Sequence, residues 1–174
     1  FMFGSFVPSW DSQYYPLMMT QNIEYKEYLN SKRSLMIIGT AISAVFAVFI
    51  YSFFGLNAVY AVLAGAFYNI GVNTYLTLWA GAYTKTPIDL NSTAAAFGDK
   101  KAFNAKTMLV GIPQLILPVL VYSFTSQYYD QLTGSLAVAF IGILGIFLKP
   151  LAFNLIMKAY KTEKYTTLKA YKTN

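Results

Sequence analysis

Of the carboxylate, imidazole and thiol groups that carry most acid–base, nucleophilic and metal chemistry, this chain has only carboxylates: Asp11, Glu24, Glu27, Asp89, Asp99, Asp130 and Glu163. It contains no histidine and no cysteine. Disulfides, thiolate catalysis, Cys/His zinc sites and imidazole proton relays are thereby excluded. None of the seven acids falls inside a long apolar run, so a proton-coupled or ion-coupled intramembrane site has no sequence support. No catalytic residue, metal site or cofactor is expected. Asp89, in "TPIDLN", has no second acid or base near it and reads as an Asx turn, with Asn91 or Ser92 capping a short helix through Ala94–Ala96.

The remaining polar groups in apolar surroundings are amides and hydroxyls. Ala61, Gly65, Asn69, Asn73, Thr77 and Gly81 recur every four residues, and such a row lies on successive turns of one helix. Two readings stay open. The row can pack against another helix, because small residues permit close approach and asparagines bond across helices. Alternatively, Asn69, Asn73 and Thr77, with Gln114 from a later run, line a substrate path. Pro113 and Pro118 flank that glutamine and predict a kinked helix. Gly142 and Gly145 read as a close packing contact.

The elements that hold these groups are long and apolar. Apolar residues make up 56% of the 174, and charged residues only 11%, too few to cover a soluble protein of this size. Four runs lack charge: 34–54, 58–82, 107–126 and 131–148, the last expected to continue through Lys149-Pro150 to about 157. About 20 residues cross the hydrocarbon of a bilayer. All thirteen basic residues lie in three segments: three before the first run, four between the second and third, six from Lys149 onward. The short connections 55–57 and 127–130 have none. By the positive-inside rule the basic segments face the cytoplasm, and the charge needs no nucleic-acid partner because anionic headgroups satisfy it. The expected fold is all-α: a polytopic transmembrane helix bundle with cytoplasmic amphipathic helices. Residues 1–9 read as the end of a preceding span in a longer polypeptide, 34–158 as the four-helix region, and 159–174 as a cytoplasmic tail.

Residues 10–33 are too polar to cross a bilayer and too apolar for a solvated loop. Asp11 or Ser12 is expected to cap a short helix with Pro16 in its first turn, and Thr20 or Asn22 to cap a second. Glu24 and Glu27 fall early in that second helix, where the dipole favours acids. Tyr25, Tyr28, Leu29 and Lys32 form a stripe at helical spacing leading into the first span. Tyr14, Tyr15, Leu17, Met18, Met19 and Ile23 are too many apolar groups to leave in water; lipid headgroups or a partner surface must cover them.

This arrangement resembles the permeases of ABC-2-type exporters, whose cytoplasmic coupling helix docks on an ATP-binding-cassette ATPase. Asp11, Leu17-Met18-Met19, Thr20-Gln21-Asn22-Ile23, Glu27, Leu29 and Lys32 follow the order of that family's loose pattern. Its usual Glu-Arg and Gly-Thr pairs are missing, as is the proline of the break. "VPSWDSQYYPLMMTQNIEYKEYLNSK", "LAGAFYNIGVNTY" and "KTPIDLN" also look like the carboxy-terminal part of a family of large bacterial multi-spanning proteins of unassigned function, itself similar to two fused permease halves. The resemblance implies a multi-pass protein of the bacterial inner membrane, with Asp11, Tyr14, Tyr15, Leu17, Met18, Met19, Ile23 and Glu27 contacting an ATPase subunit. Its partners would be that ATPase, membrane lipid and the rest of a longer permease chain or a second half. The chain has no Gly-rich phosphate loop, so ATP hydrolysis would belong to the partner. The competing expectations are a non-transporting membrane scaffold and, lacking the residues for it, an intramembrane enzyme.

Overall fold

The computed structural model describes residues 11–21, 23–85 and 105–172. The proposed end of a preceding span at 1–9, and the loop expectations for Asp89, Asn91, Ser92 and Ala94–Ala96, lie outside the described residues. All regular structure among the described residues is helical. The all-α expectation holds.

A short helix α1, Tyr15–Thr20, starts with Pro16 in its first turn. It lacks the side-chain cap expected from Asp11 or Ser12. Instead the Asp11 carbonyl accepts the Tyr14 and Tyr15 amides at 2.9 and 2.7 Å, closing a turn that leaves the Asp11 carboxylate free for other work. Helix α2, Tyr25–Tyr51, follows with Glu24 as its uncapped first flank and Glu27 in its first turn. Thr20 does not cap α2; its hydroxyl donates to the Leu17 carbonyl at 2.7 Å, which ends α1. The stripe of Tyr25, Tyr28, Leu29 and Lys32 is therefore on the same unbroken helix as the first apolar run.

After a tight turn at Ser52–Phe54 the chain reverses at Gly55, whose φ of 108° suits a residue without a Cβ. The second run forms α3, Leu56–Tyr68, then a π-helical turn at Asn69–Asn73, then α4, Thr74–Gly81. Helix α5, Ala105–Tyr128, contains Pro113 and Pro118. Helix α6, Gln131–Phe147, is capped by Asp130, whose Oδ1 accepts the Thr133 amide at 2.8 Å.

The fourth run departs from expectation. It does not continue straight from 131 to 157: α6 ends at Phe147, and α7, Lys149–Lys172, leaves it at 67°. Pro150 supplies the reason, since it has no N–H for the Ile146 carbonyl and its ring crowds that turn. Residues 159–172 are not a separate tail either. They complete α7, and Tyr160, Thr167 and Tyr171 on it are buried.

Helix α3 lies along α6, which also carries α5, and α2 packs beside α3. Two apolar clusters result. One joins α2, α4 and α7 through Leu29, Tyr75, Leu78, Phe153, Ile156 and Tyr160. The other joins α3 and α6 through Ala64, Tyr68 and Val138, with Val121 and Tyr122 of α5 packed against it. Outside these clusters the helices expose large apolar side chains: Val45, Phe46 and Phe49 on α2, Val119 and Leu120 on α5, Phe140 on α6. The helix over Tyr25–Phe54 is long and apolar enough to cross a membrane, and none of its apolar stretch is buried; α6 and α7 meet that criterion only as a bent pair.

Candidate functional site

The N-terminal segment is joined to the bundle by one carboxylate. Asp11 Oδ2 accepts a hydrogen bond from the Tyr28 hydroxyl at 2.8 Å and pairs with Lys32 Nζ at 2.7 Å. Tyr28 and Lys32 are one turn apart on α2, so Asp11 grips two successive turns of the helix that becomes the first apolar run. The Lys32 ammonium also stands 5.5 Å from the centre of the Tyr28 ring. Charge-assisted bonds of this kind are stronger than neutral ones.

A second fixing point is Tyr15, only 1% exposed. Its ring meets Tyr171 of α7 edge-on at 5.5 Å, and its hydroxyl lies 3.5 Å from that of Tyr25. Burial, followed by the bond to Tyr25, pushes the Tyr15 hydroxyl well above the usual phenol range, so it stays protonated. Tyr171 in turn donates to the Thr84 carbonyl at 3.3 Å, and Lys85 pairs with Glu163. The segment before α2, the end of α4 and the last turns of α7 are thus bound together at one end of the molecule. At the other end the Asn57 amide donates to Gln131 Oε1 at 3.0 Å, bringing the two connections that lack basic residues side by side.

The residues expected to form one coupling cluster divide between two sides. Tyr14 and Leu17 are exposed at 61% and 55%, and Ile23 and Glu27 also face outward. Tyr15 points into the bundle, and Met18 and Met19 are half-buried beside α7. The Tyr25 hydroxyl donates to the Met19 sulfur at 3.3 Å. A short helix turns successive side chains about 100° apart, and packing on α7 decides which go inward. A continuous apolar surface over all six is therefore ruled out.

The four-residue polar row is also divided. Ala61 is exposed, and a Cβ added at Gly65 would meet nothing within 4 Å. The Asn73 amide donates to Asn69 Oδ1 at 2.8 Å within the same helix, so these asparagines do not bond across helices. Thr77 does cross, accepting from Gln114 Nε2 of α5 at 3.1 Å in a buried contact. An i+4 row drifts about 40° per step around an α-helix, so its six members spread over more than one face; the π-turn at Asn69–Asn73 changes the register within the row. The close approach falls instead on Gly71, which the spacing did not single out, against Gly142 and Gly145; those two glycines do mark backbone contact, as expected.

Arg33, counted with the loop cations, is buried at 9% exposure, with its guanidinium 4.9 Å from the centre of the Tyr75 ring. Such a desolvated cation–ring pair stabilises by about 2 kcal/mol. Tyr160, Glu163, Thr167 and Tyr171 were missed for a traceable reason. Their spacings of three and four mark a helical face, which an alternation of lysine with tyrosine conceals. Among the described residues no three acids gather into a group that could hold a metal ion.

This geometry supplies a braced joint and an apolar exterior. No curated protein and no solved structure matches the chain. A family profile does match, over residues 1–174, and is described as a family of unknown function. The chain, whose regular structure among the described residues is helical and includes a helix long and apolar enough to cross a membrane, belongs to that family, DUF5687.

Proposed function

We propose that this chain is a polytopic membrane bundle, the permease part of an ABC-type exporter, in which a partner ATPase drives substrate movement through the joint at Asp11. The observation that carries the reading is the mechanical continuity of α2. One helix begins at the cytoplasmic-type segment, is gripped by Asp11 through Tyr28 and Lys32, and runs on without interruption through the first apolar run. A displacement of α1 reaches the membrane level through that helix because helices are stiff along their axis.

Multi-pass insertion is supported by the apolar side chains exposed on α2, α5 and α6, which have lipid as their natural solvent. The contact between Asn57 and Gln131 supports a common side for the two connections without basic residues. The basic segments then face the cytoplasm of a bacterial inner membrane. The surface offered to the ATPase is narrower than the composition implied: Tyr14 just before α1 and Leu17 on it, with Ile23 and Glu27 beside it. Thr77 and Gln114 form the polar contact between α4 and α5 that a substrate path would adjoin. A non-transporting scaffold is the second reading, favoured by the backbone contact of Gly71 with Gly142, which closes the seam between the second and fourth runs.

The test is co-purification. The full-length protein should retain an ATP-binding-cassette ATPase from its own membranes, and Tyr14→Asp with Leu17→Asp should abolish retention while the protein stays membrane-inserted. Undiminished retention by that double variant removes the coupling role and leaves the scaffold.

A further inference from the structure

Between the N-terminal segment, the first turn of α2 and the middle of α7 lies a cavity of about 410 Å³. Its walls divide by chemistry. Lys26, Lys161 and Lys164 supply three ammonium groups, against one carboxylate from Glu24. Met18, Met19 and Met157 supply three thioethers. The two ion pairs among the described residues engage Lys32 and Lys85, so the three cavity lysines have no carboxylate bonded to them there. Met19 is held in place by the Tyr25 hydroxyl, which gives the apolar wall a fixed element.

We infer that this cavity binds the phosphate headgroup of an anionic membrane phospholipid, with the lysines on the phosphate and the methionines against the glycerol and the start of an acyl chain. The excess of positive charge selects an anion. The thioethers select an anion with an apolar extension, and they adapt to flexible chains. Position supplies the source: the cavity opens beside the first turn of the helix whose exposed apolar stretch starts two turns later. Basic pockets between helices at the cytoplasmic leaflet are sites where lipid headgroups lodge. The inference rests on the membrane reading above but not on the ATPase. It also accounts for the inward turn of Met18 and Met19, away from the exposed side that Tyr14 and Leu17 occupy.

The experiment uses the full-length protein recovered in the membrane fraction, extracted into non-ionic detergent, and titrated with phosphatidylglycerol, phosphatidylcholine or inorganic phosphate while its Tm is followed. Phosphatidylglycerol should raise the Tm; the other two should not. Lys161→Gln with Lys164→Gln should raise the half-saturating concentration by on the order of twenty-five-fold, given roughly fivefold for each ammonium near an anionic headgroup. Lys26→Gln, on a different helix, should act in the same direction. Lys158→Gln, exposed and outside the cavity, should leave the titration unchanged. An equal response to phosphatidylcholine, or an equal response to inorganic phosphate, overturns the lipid assignment, as does a normal titration in the lysine variants. Failure to recover the protein in membranes overturns the membrane reading itself, and this inference with it.

Discussion

A Cβ built on Gly71 would stand 1.7 Å from the carbonyl oxygen of Gly142, so the π-turn and helix α6 meet backbone to backbone. The contact is reciprocal in kind: a Cβ on Gly142 would lie 2.4 Å from the Phe67 carbonyl carbon, and one on Gly145 would lie 2.2 Å from the Gly71 oxygen. Gly71→Ala has no flexible side chain to displace and must separate two helices. We expect it to destabilise the protein by about 3 kcal/mol or more, at the upper end of overpacking costs. Gly65→Ala, one helix segment away with open space around it, should be neutral or stabilise by up to about 1 kcal/mol through helix propensity. Unfolding of the two variants in detergent checks the contrast.

The Asp11 joint should show coupling. Tyr28→Phe removes the donor to Asp11 Oδ2 while keeping the ring in place. It should cost about 1.5 kcal/mol, the usual range for a hydrogen bond to a charged group. In an Asp11→Asn background the same substitution should cost less than half as much, because the charge that strengthened the bond is gone. A double-mutant cycle by thermal or denaturant unfolding measures this. Additive losses would show that Tyr28 acts through packing alone.

Gln114 and Thr77 form the buried polar contact between α5 and α4. Gln114→Leu should cost roughly 1 kcal/mol, since hydrogen bonds between helices in lipid average less than that and an orphaned partner adds to it. Adding Thr77→Val should recover most of the loss by removing the orphan.

The Asp130 cap carries a pH dependence of defined sign. Hydrogen bonds from Thr133, side chain first and backbone amide second, hold the Asp130 carboxyl below its ordinary range. A depressed pKa means that the cap stabilises fully above the unfolded-state value and is lost as pH falls through the lower folded value. Asp130→Asn should retain the cap and flatten this acid-side slope; Asp130→Ala should lose the cap at every pH. Because Asp130 is fully exposed, the effect is small and should also weaken little with salt, its partners being dipoles rather than ions.

Topology is checked directly, because the chain has no cysteine of its own. Asn57→Cys and Lys158→Cys place single thiols at exposed positions near opposite ends of the bundle. A membrane-impermeant maleimide should label them from opposite sides of the membrane. Labelling from one side would remove the multi-pass reading.

Hydropathy and charge already specified much of this molecule. The apolar runs, the absence of acids from them and the gathering of thirteen cations into three segments are local properties that sum along a chain, so helix existence follows from them. Pro16 at the start of α1 and Glu27 in the first turn of α2 belong to the same class. Relations between helices did not follow. Asn69 and Asn73 were legible as a polar row, yet they bond to each other within a π-turn and the seam falls on Gly71. Met18 and Tyr14 are equally apolar in composition, but only the approach of α7 turns one inward and leaves the other exposed. Asp11, seventeen residues from Tyr28, serves as a brace and not as a cap because the turn formed by its own carbonyl aims its carboxylate at α2. Periodicity reports which face of a helix is apolar; what that face meets depends on the distances and angles between backbones, which only the folded arrangement sets.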